Sequence, residues 1–161
     1  MQRTEHSLIH DETTRKAIGG FYDVYNELSG FPEYVLKRAL VIVFKDLGLT
    51  VREEVQLPVT FRGHRLVTFR ADLIIDPGII IEVKTAPELA AYQRAQVLHY
   101  LKAGGLELGL LFNFGRRPEF ARIVYQSARK TPEAPESAES EPSGGKTGPS
   151  SAQESASSNT P

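Results

Sequence analysis

The stretch Arg70–Lys84 reads RADLIIDPGIIIEVK. Two apolar runs flank Asp76-Pro77-Gly78, a turn signal, so the segment predicts a hairpin of two buried strands. If Ile75 pairs with Ile79, the numbers of opposite residues sum to 154 and Asp72 lies across from Glu82. Facing side chains on one side of an antiparallel pair have β-carbons about 5 Å apart. Side chains alternate between faces, so Glu82 and Lys84 share one, with Asp72 diagonal to Lys84. The patch collects two carboxylates and an amine inside apolar surroundings, where charge is costly unless paired or metal-bound. Two readings are open. Facing carboxylates repel, and a divalent cation between them relieves the repulsion; Mg²⁺, with Mn²⁺ as the alternative, suits such an oxygen-rich setting. Alternatively, Asp72 pairs with Lys84 or Arg70 as a structural ion pair at a strand end. A one-residue slip in register would turn the carboxylates to opposite faces.

Outward from this stretch, the pattern predicts helices and strands in a definite order. In TTRKAIGGFYDVYNEL the apolar residues Ile18, Phe21, Tyr22, Tyr25 and Leu28 make one helical face. Pro32 suits the first turn of a second helix, EYVLKRALVIVFKDL, dense enough in apolar residues to be buried on more than one side, with Gly48 as its stop. VREEVQLPVTF and HRLVTFRADLII alternate like strands around a hairpin signal at Arg62-Gly63-His64. Pro87 opens a third helix ended by Gly104-Gly105, and LGLLFNF and ARIVY close the domain as strands. The predicted order is α-α-β-β-β-β-α-β-β.

Composition sets outer limits. The chain has 161 residues and no cysteine, which excludes disulfides, thiolate zinc sites and a cysteine nucleophile. No apolar run approaches the ~20 residues of a membrane span. MQRTEHSLIH lacks the apolar core of a secretory signal, so a soluble cytoplasmic protein is the expectation. From Thr131 to Pro161 the sequence has no aromatic or branched aliphatic residue and predicts a disordered acidic tail. The division expected is therefore a domain over 1–130 and a tail over 131–161. Residues 1–130 hold 18 Lys and Arg against 15 Asp and Glu, while the tail holds 1 against 5. A mildly basic domain carrying an acidic tail is weakly consistent with a polyanionic partner.

An Asp at the end of one strand followed by Glu-x-Lys on the next resembles the core signature of the PD-(D/E)XK nuclease superfamily. More closely, the chain resembles the bacterial GxxExxY proteins of that superfamily. The name-giving motif matches at Gly30-Phe31-Pro32-Glu33-Tyr34-Val35-Leu36, with Leu36 where the family has Tyr. NEL at 26–28, FRADL at 69–73, IEVK at 81–84 and LGLLFNFG at 108–115 extend the likeness over roughly residues 12–125. The resemblance implies an α/β, restriction-endonuclease-like fold: a mixed β-sheet flanked by α-helices. It implies Asp72 and Glu82 as metal ligands, Glu33 as the helical acid completing the metal shell, and Lys84 as the lysine that positions the attacking water and stabilises the transition state. Gln96 and Tyr100 resemble the Q-x-x-x-Y element of RecB-type nucleases, and their i, i+4 spacing puts them on one helical face. Arg70, taken to face inward beside Asp72, is the candidate phosphate contact.

The function implied is a Mg²⁺-dependent nuclease acting on DNA or RNA. Phosphodiester hydrolysis needs a metal to neutralise charge and acidify water, and a cation for the developing oxyanion. The competing reading is a non-catalytic module that binds nucleic acid or protein on the same scaffold. The complete set of Glu33, Asp72, Glu82 and Lys84 discriminates, because a degenerate binder usually loses one of them.

Overall fold

The computed structural model describes residues 5–126, with side chains described from His10 onward. These residues all fall within the unit Met1–Ala128. The acidic tail expected over 131–161 lies outside the described residues. The elements are helices α1 (Glu5–Leu28) and α2 (Glu33–Asp46), strands β1 (Val51–Phe61), β2 (His64–Ile75) and β3 (Ile79–Lys84), helix α3 (Ala91–Gly104), and strands β4 (Leu108–Phe114) and β5 (Pro118–Val124). They build one five-stranded sheet in the order β1-β2-β3-β4-β5. Only β3 and β4 run parallel; their α3 crossover provides the long connection that parallel pairing requires. Among the described residues, no helix is long and apolar enough to cross a membrane.

Helices cover both faces of the sheet, which explains the near-continuous apolar runs of β3 and β4. Ile79, Ile81, Val83, Leu110 and Phe112 pack with Phe21 of α1 and Leu36, Leu40 and Phe44 of α2. Ile80 and Leu111 turn to the other face, against Val97, Tyr100 and Leu101 of α3. Leu36, where a tyrosine would carry a hydroxyl, is fully buried in the first of these cores.

Several expectations are corrected. The residues HRLVTF and RADLII form one continuous strand, so three strands, not four, precede α3. Helix α3 begins at Ala91 rather than Pro87, because backbone groups of 85–90 are engaged by Glu33, Asn113 and Glu119 of other elements and by Gln93 of α3 itself, whose Oε1 accepts the Ala90 N–H at 2.8 Å. Pro32 is the cap residue before α2 rather than part of its first turn. α2 is buried on one side only: Leu36, Leu40, Val41 and Phe44 face the core, whereas Ile42 is 62% exposed. In α1 the buried line is Ala17, Phe21 and Val24, and Tyr22 looks outward. β5 starts at Pro118, earlier than ARIVY suggests.

The decisive hairpin has the expected register: Ile75 pairs with Ile79 and Leu73 with Ile81. The longer β1–β2 hairpin turns at Arg62-Gly63, both at positive φ (48° and 81°), as a two-residue turn matching strand twist demands. Its side-chain alternation breaks midway. Leu73 and Ile75 belong to the α1–α2 core, while Phe69 and Ala71, of the same parity, pack towards α3. The break falls where the register sets Glu54 opposite Asp72, and Glu54 has φ 49°. Beyond it, the hairpin wraps over α3.

The β4–β5 turn and the β3–α3 loop touch at Gly115, where an added β-carbon would lie 2.1 Å from the Ala86 carbonyl oxygen. Backbone cannot yield as a side-chain tip can. Gly115→Ala should therefore lose about 1–3 kcal/mol in urea unfolding, the usual penalty for overpacking. An unchanged midpoint would mean that the two loops are not held together.

Candidate active site

β3 delivers two charged side chains from the end of an otherwise apolar strand. Glu82 is 3% exposed, and the Lys84 ammonium meets its Oε1 at 2.8 Å. Counted outward from the turn, backbone pairing of neighbouring β2 with β3 ends at Leu73. From there the Asp72 side chain takes over, with Oδ2 accepting the Val83 N–H at 3.0 Å. Its other oxygen, Oδ1, accepts from the Lys37 ammonium of α2 at 3.0 Å. Lys37 also reaches Glu54 Oε1 at 3.1 Å, and Glu54 Oε2 in turn holds Arg70 Nε at 2.8 Å. Charges thus alternate along one rim from Arg70 through Glu54 and Lys37 to Asp72, beside which lie the like-charged Glu82 and its partner Lys84. Along this rim one carboxylate oxygen has no partner: Glu82 Oε2 is buried and makes no hydrogen bond.

Electrostatics follow from that arrangement. Burial, then the nearby Asp72 charge, raise the Glu82 carboxyl to about 6 against the pull of the Lys84 ammonium. Burial pulls the Lys84 ammonium down, but its hydrogen bond to Glu82 and the charges of Glu82, Asp72 and Glu33 outweigh it and raise the net value. Lys84 is therefore a cation at neutral pH and cannot serve as a base. Lys37 behaves alike: burial lowers it, and Asp72 with Glu54 more than compensates. Burial and then the Glu82 charge push the Tyr100 phenol up, so it keeps its proton.

The predicted residues meet different fates. Asp72, Glu82 and Lys84 come together. Tyr100 lies within their field, its hydroxyl oxygen accepting from Gln96 Nε2 at 2.8 Å and its ring packed on Phe69 at 5.4 Å. Glu33 is the first residue of α2, and its Oε1 accepts from the Thr85 N–H at 3.1 Å and faces Thr85 Oγ1 at 3.4 Å. Among the described residues, no three acidic or histidine side chains converge closely enough to hold a metal. Glu33 thus does not join Asp72 and Glu82 as a third converging carboxylate. Arg70 does not face inward: its side chain is 70% exposed and paired with Glu54. Asp72 pairs with neither Lys84 nor Arg70; its cation is Lys37.

Lys37 and Glu54 went unnoticed in the sequence. Each had a signal: Lys37 lies four residues after Glu33 on one helical face, and Glu54 sits opposite Asp72 in the β1–β2 register. Asn113 and Glu119 were missed as well. Asn113, buried beside Lys84 in the ladder, donates Nδ2 to the Ala86 carbonyl at 2.9 Å, and Glu119 Oε2 accepts the Leu89 N–H at 3.2 Å. With Glu33 and Gln93, these side chains fix the loop of residues 85–90 that follows Lys84.

A model of the PD-(D/E)XK nuclease superfamily matches residues 11–123. The chain belongs to that superfamily. A comparison with curated proteins found no match. Among solved structures, the chain is similar to that of the crystal structure of SSO0001, at 24% identity and a TM-score of 0.50. The match covers 71% of this chain and 59% of that one, and it supports the fold. The mixed sheet flanked by helices is the restriction-endonuclease-like fold of the superfamily.

The buried Glu82 carboxylate generates a pH prediction. Its folded value of about 6 lies above the ordinary 4.5, so the folded state binds more protons between those limits. Stability should fall as pH rises through that window, by about 2 kcal/mol from this group. Glu82→Gln should remove the dependence and make the metal-free protein about 1–2 kcal/mol more stable at pH 8 by chemical denaturation. A variant less stable than wild type at pH 8 would contradict this. Lys37→Met should act oppositely, costing about 1–3 kcal/mol by leaving Asp72 without its cation.

Proposed function

We propose that this chain is a divalent-metal-dependent phosphodiesterase of the GxxExxY type that hydrolyses DNA or RNA. The observation carrying the reading is the buried, unpartnered Glu82 Oε2 beside the Asp72 carboxylate. Such an atom costs stability unless a cation meets it, and two hard oxygen donors suit Mg²⁺ or Mn²⁺. Asp72 and Glu82 would hold the ion. Bound there, it would supply Lewis acidity to a phosphoryl oxygen and acidify water.

The protein's own groups have separable tasks. The Lys84 ammonium stabilises negative charge developing on the phosphoryl oxygens and orients the attacking water. The Val83 N–H and the Lys37 ammonium keep Asp72 aimed. Tyr100 accepts from Gln96, which leaves its own O–H available to donate to a substrate oxygen. Glu33 acts from farther out, through Thr85 and through its field on Lys84. Arg70, on the exposed hairpin rim, would meet a phosphate only by leaving its pairing with Glu54. A non-catalytic binder on this fold would have no use for a buried Glu82–Lys84 pair beside Asp72.

Cleavage of a fluorescent oligonucleotide with Mg²⁺ or Mn²⁺ tests the reading. Asp72→Asn, Glu82→Gln and Lys84→Met should each slow turnover on the order of 10²-fold or more. Turnover retained in Asp72→Asn would contradict the assignment. Metal should also raise the melting temperature at pH 8, where Glu82 is ionised, and do so far less at pH 5, below its folded value of about 6. An equal shift at both pH values would place the ion elsewhere.

A further inference from the structure

One residue beyond Lys84 a second feature begins. A cleft of about 580 Å³ opens between the α1–α2 turn, the β3–α3 loop and the β4–β5 turn. That volume lies within the ~300–1,000 Å³ of small-molecule sites. Its lining includes Tyr25, Phe31, Pro32, Thr85, Pro87 and Arg116. The walls are set by bonds within the protein. The Tyr25 hydroxyl lies 3.1 Å from the Gly115 carbonyl oxygen and 2.9 Å from that of Arg116. The Asn113–Ala86 hydrogen bond and the Gly115–Ala86 approach close the floor. Thr85, held by Glu33, joins the cleft to the acidic site.

Two lining side chains have no other employment. Phe31 is 51% exposed, an aromatic ring left in solvent on a fixed turn. Arg116 is exposed and, among the described residues, forms no ion pair with a carboxylate. An open aromatic ring, two proline rings and an unpaired guanidinium around a preformed cleft make a surface for a flat heterocycle carrying an anion.

We infer that this cleft holds an unpaired nucleotide adjoining the scissile phosphate, its base against Phe31 and its phosphate on Arg116, which makes single-stranded nucleic acid the preferred substrate. The inference rests on the phosphodiesterase reading for the position of the scissile phosphate. A base can enter a cleft of this kind only when it is not paired, whereas a duplex would leave both residues idle. Alanine substitution of a base-stacking aromatic weakens binding by ~1–3 kcal/mol, or roughly 5- to 150-fold.

Fluorescence anisotropy in EDTA, where no turnover occurs, tests it. The probes are a labelled 12-nucleotide oligodeoxythymidine, the matching oligouridine, and a blunt DNA duplex of equal length. Wild type should bind at least one single strand more tightly than the duplex. Phe31→Ala and Arg116→Ala should each weaken that binding about 10-fold or more, change duplex binding less than twofold, and leave thermal melting unchanged. Equal losses on strand and duplex, no loss, or tighter duplex binding by wild type would overturn the inference. The two readings can fail separately. Cleavage by wild type with unaltered single-strand binding by both variants removes the subsite alone. Selective loss of single-strand binding in a protein that cleaves nothing removes the phosphodiesterase reading and keeps the subsite.

Discussion

The hydrogen bond from the Val83 N–H to Asp72 Oδ2 organises this molecule. Backbone pairing between β2 and β3 stops at Leu73 and Ile81, and the carboxylate then substitutes for the missing ladder carbonyl. A side chain in that role ends the ladder without leaving the Val83 amide unsatisfied. It also fixes a negative charge near a second buried carboxylate, which with burial accounts for the raised Glu82 value. Lys37 and Lys84 each neutralise one carboxylate from a different element, so the site tolerates two acids in a mostly apolar interior. What they leave uncovered is one oxygen.

The same site depends on a loop with little secondary structure of its own. Within residues 85–90, the Thr85 N–H, the Ala86 carbonyl, the Leu89 N–H and the Ala90 N–H are taken by Glu33, Asn113, Glu119 and Gln93, from four separate elements. Side-chain anchoring of this kind gives an irregular segment hydrogen-bond partners that it cannot find in a ladder. It couples the start of α2 to the end of β3, and it builds one wall of the cleft that adjoins the acidic rim.

The legible parts of the sequence were those governed by local chemistry. Asp76-Pro77-Gly78 set the hairpin and its register, so the meeting of Asp72, Glu82 and Lys84 could be derived from spacing alone. That Gln96 and Tyr100 share a helical face followed from their i, i+4 spacing, while their place at the site came from the resemblance to the Q-x-x-x-Y element. The illegible parts depended on distant partners. Pro87 reads as a helix start, but Asn113, Glu119 and Gln93 hold the chain in a loop until Ala91. Arg70 reads as inward because strands alternate, yet alternation breaks where Glu54 takes a positive φ opposite Asp72. Lys37 looks like a solvated helix residue until α2 is laid across β2. No local rule announces that contact.

The account centres on a cation seat between Asp72 and Glu82. Substoichiometric Mn²⁺ added to ¹⁵N-labelled protein at pH 8 tests it directly, because paramagnetic broadening falls off steeply with distance from the ion. The amide signals of Asp72, Glu82, Val83 and Lys84 should vanish first, while those of the remote Arg62–His64 turn persist. Broadening centred on other carboxylates, such as Asp76 or Glu119, or spread evenly over the acidic surface, would contradict the account.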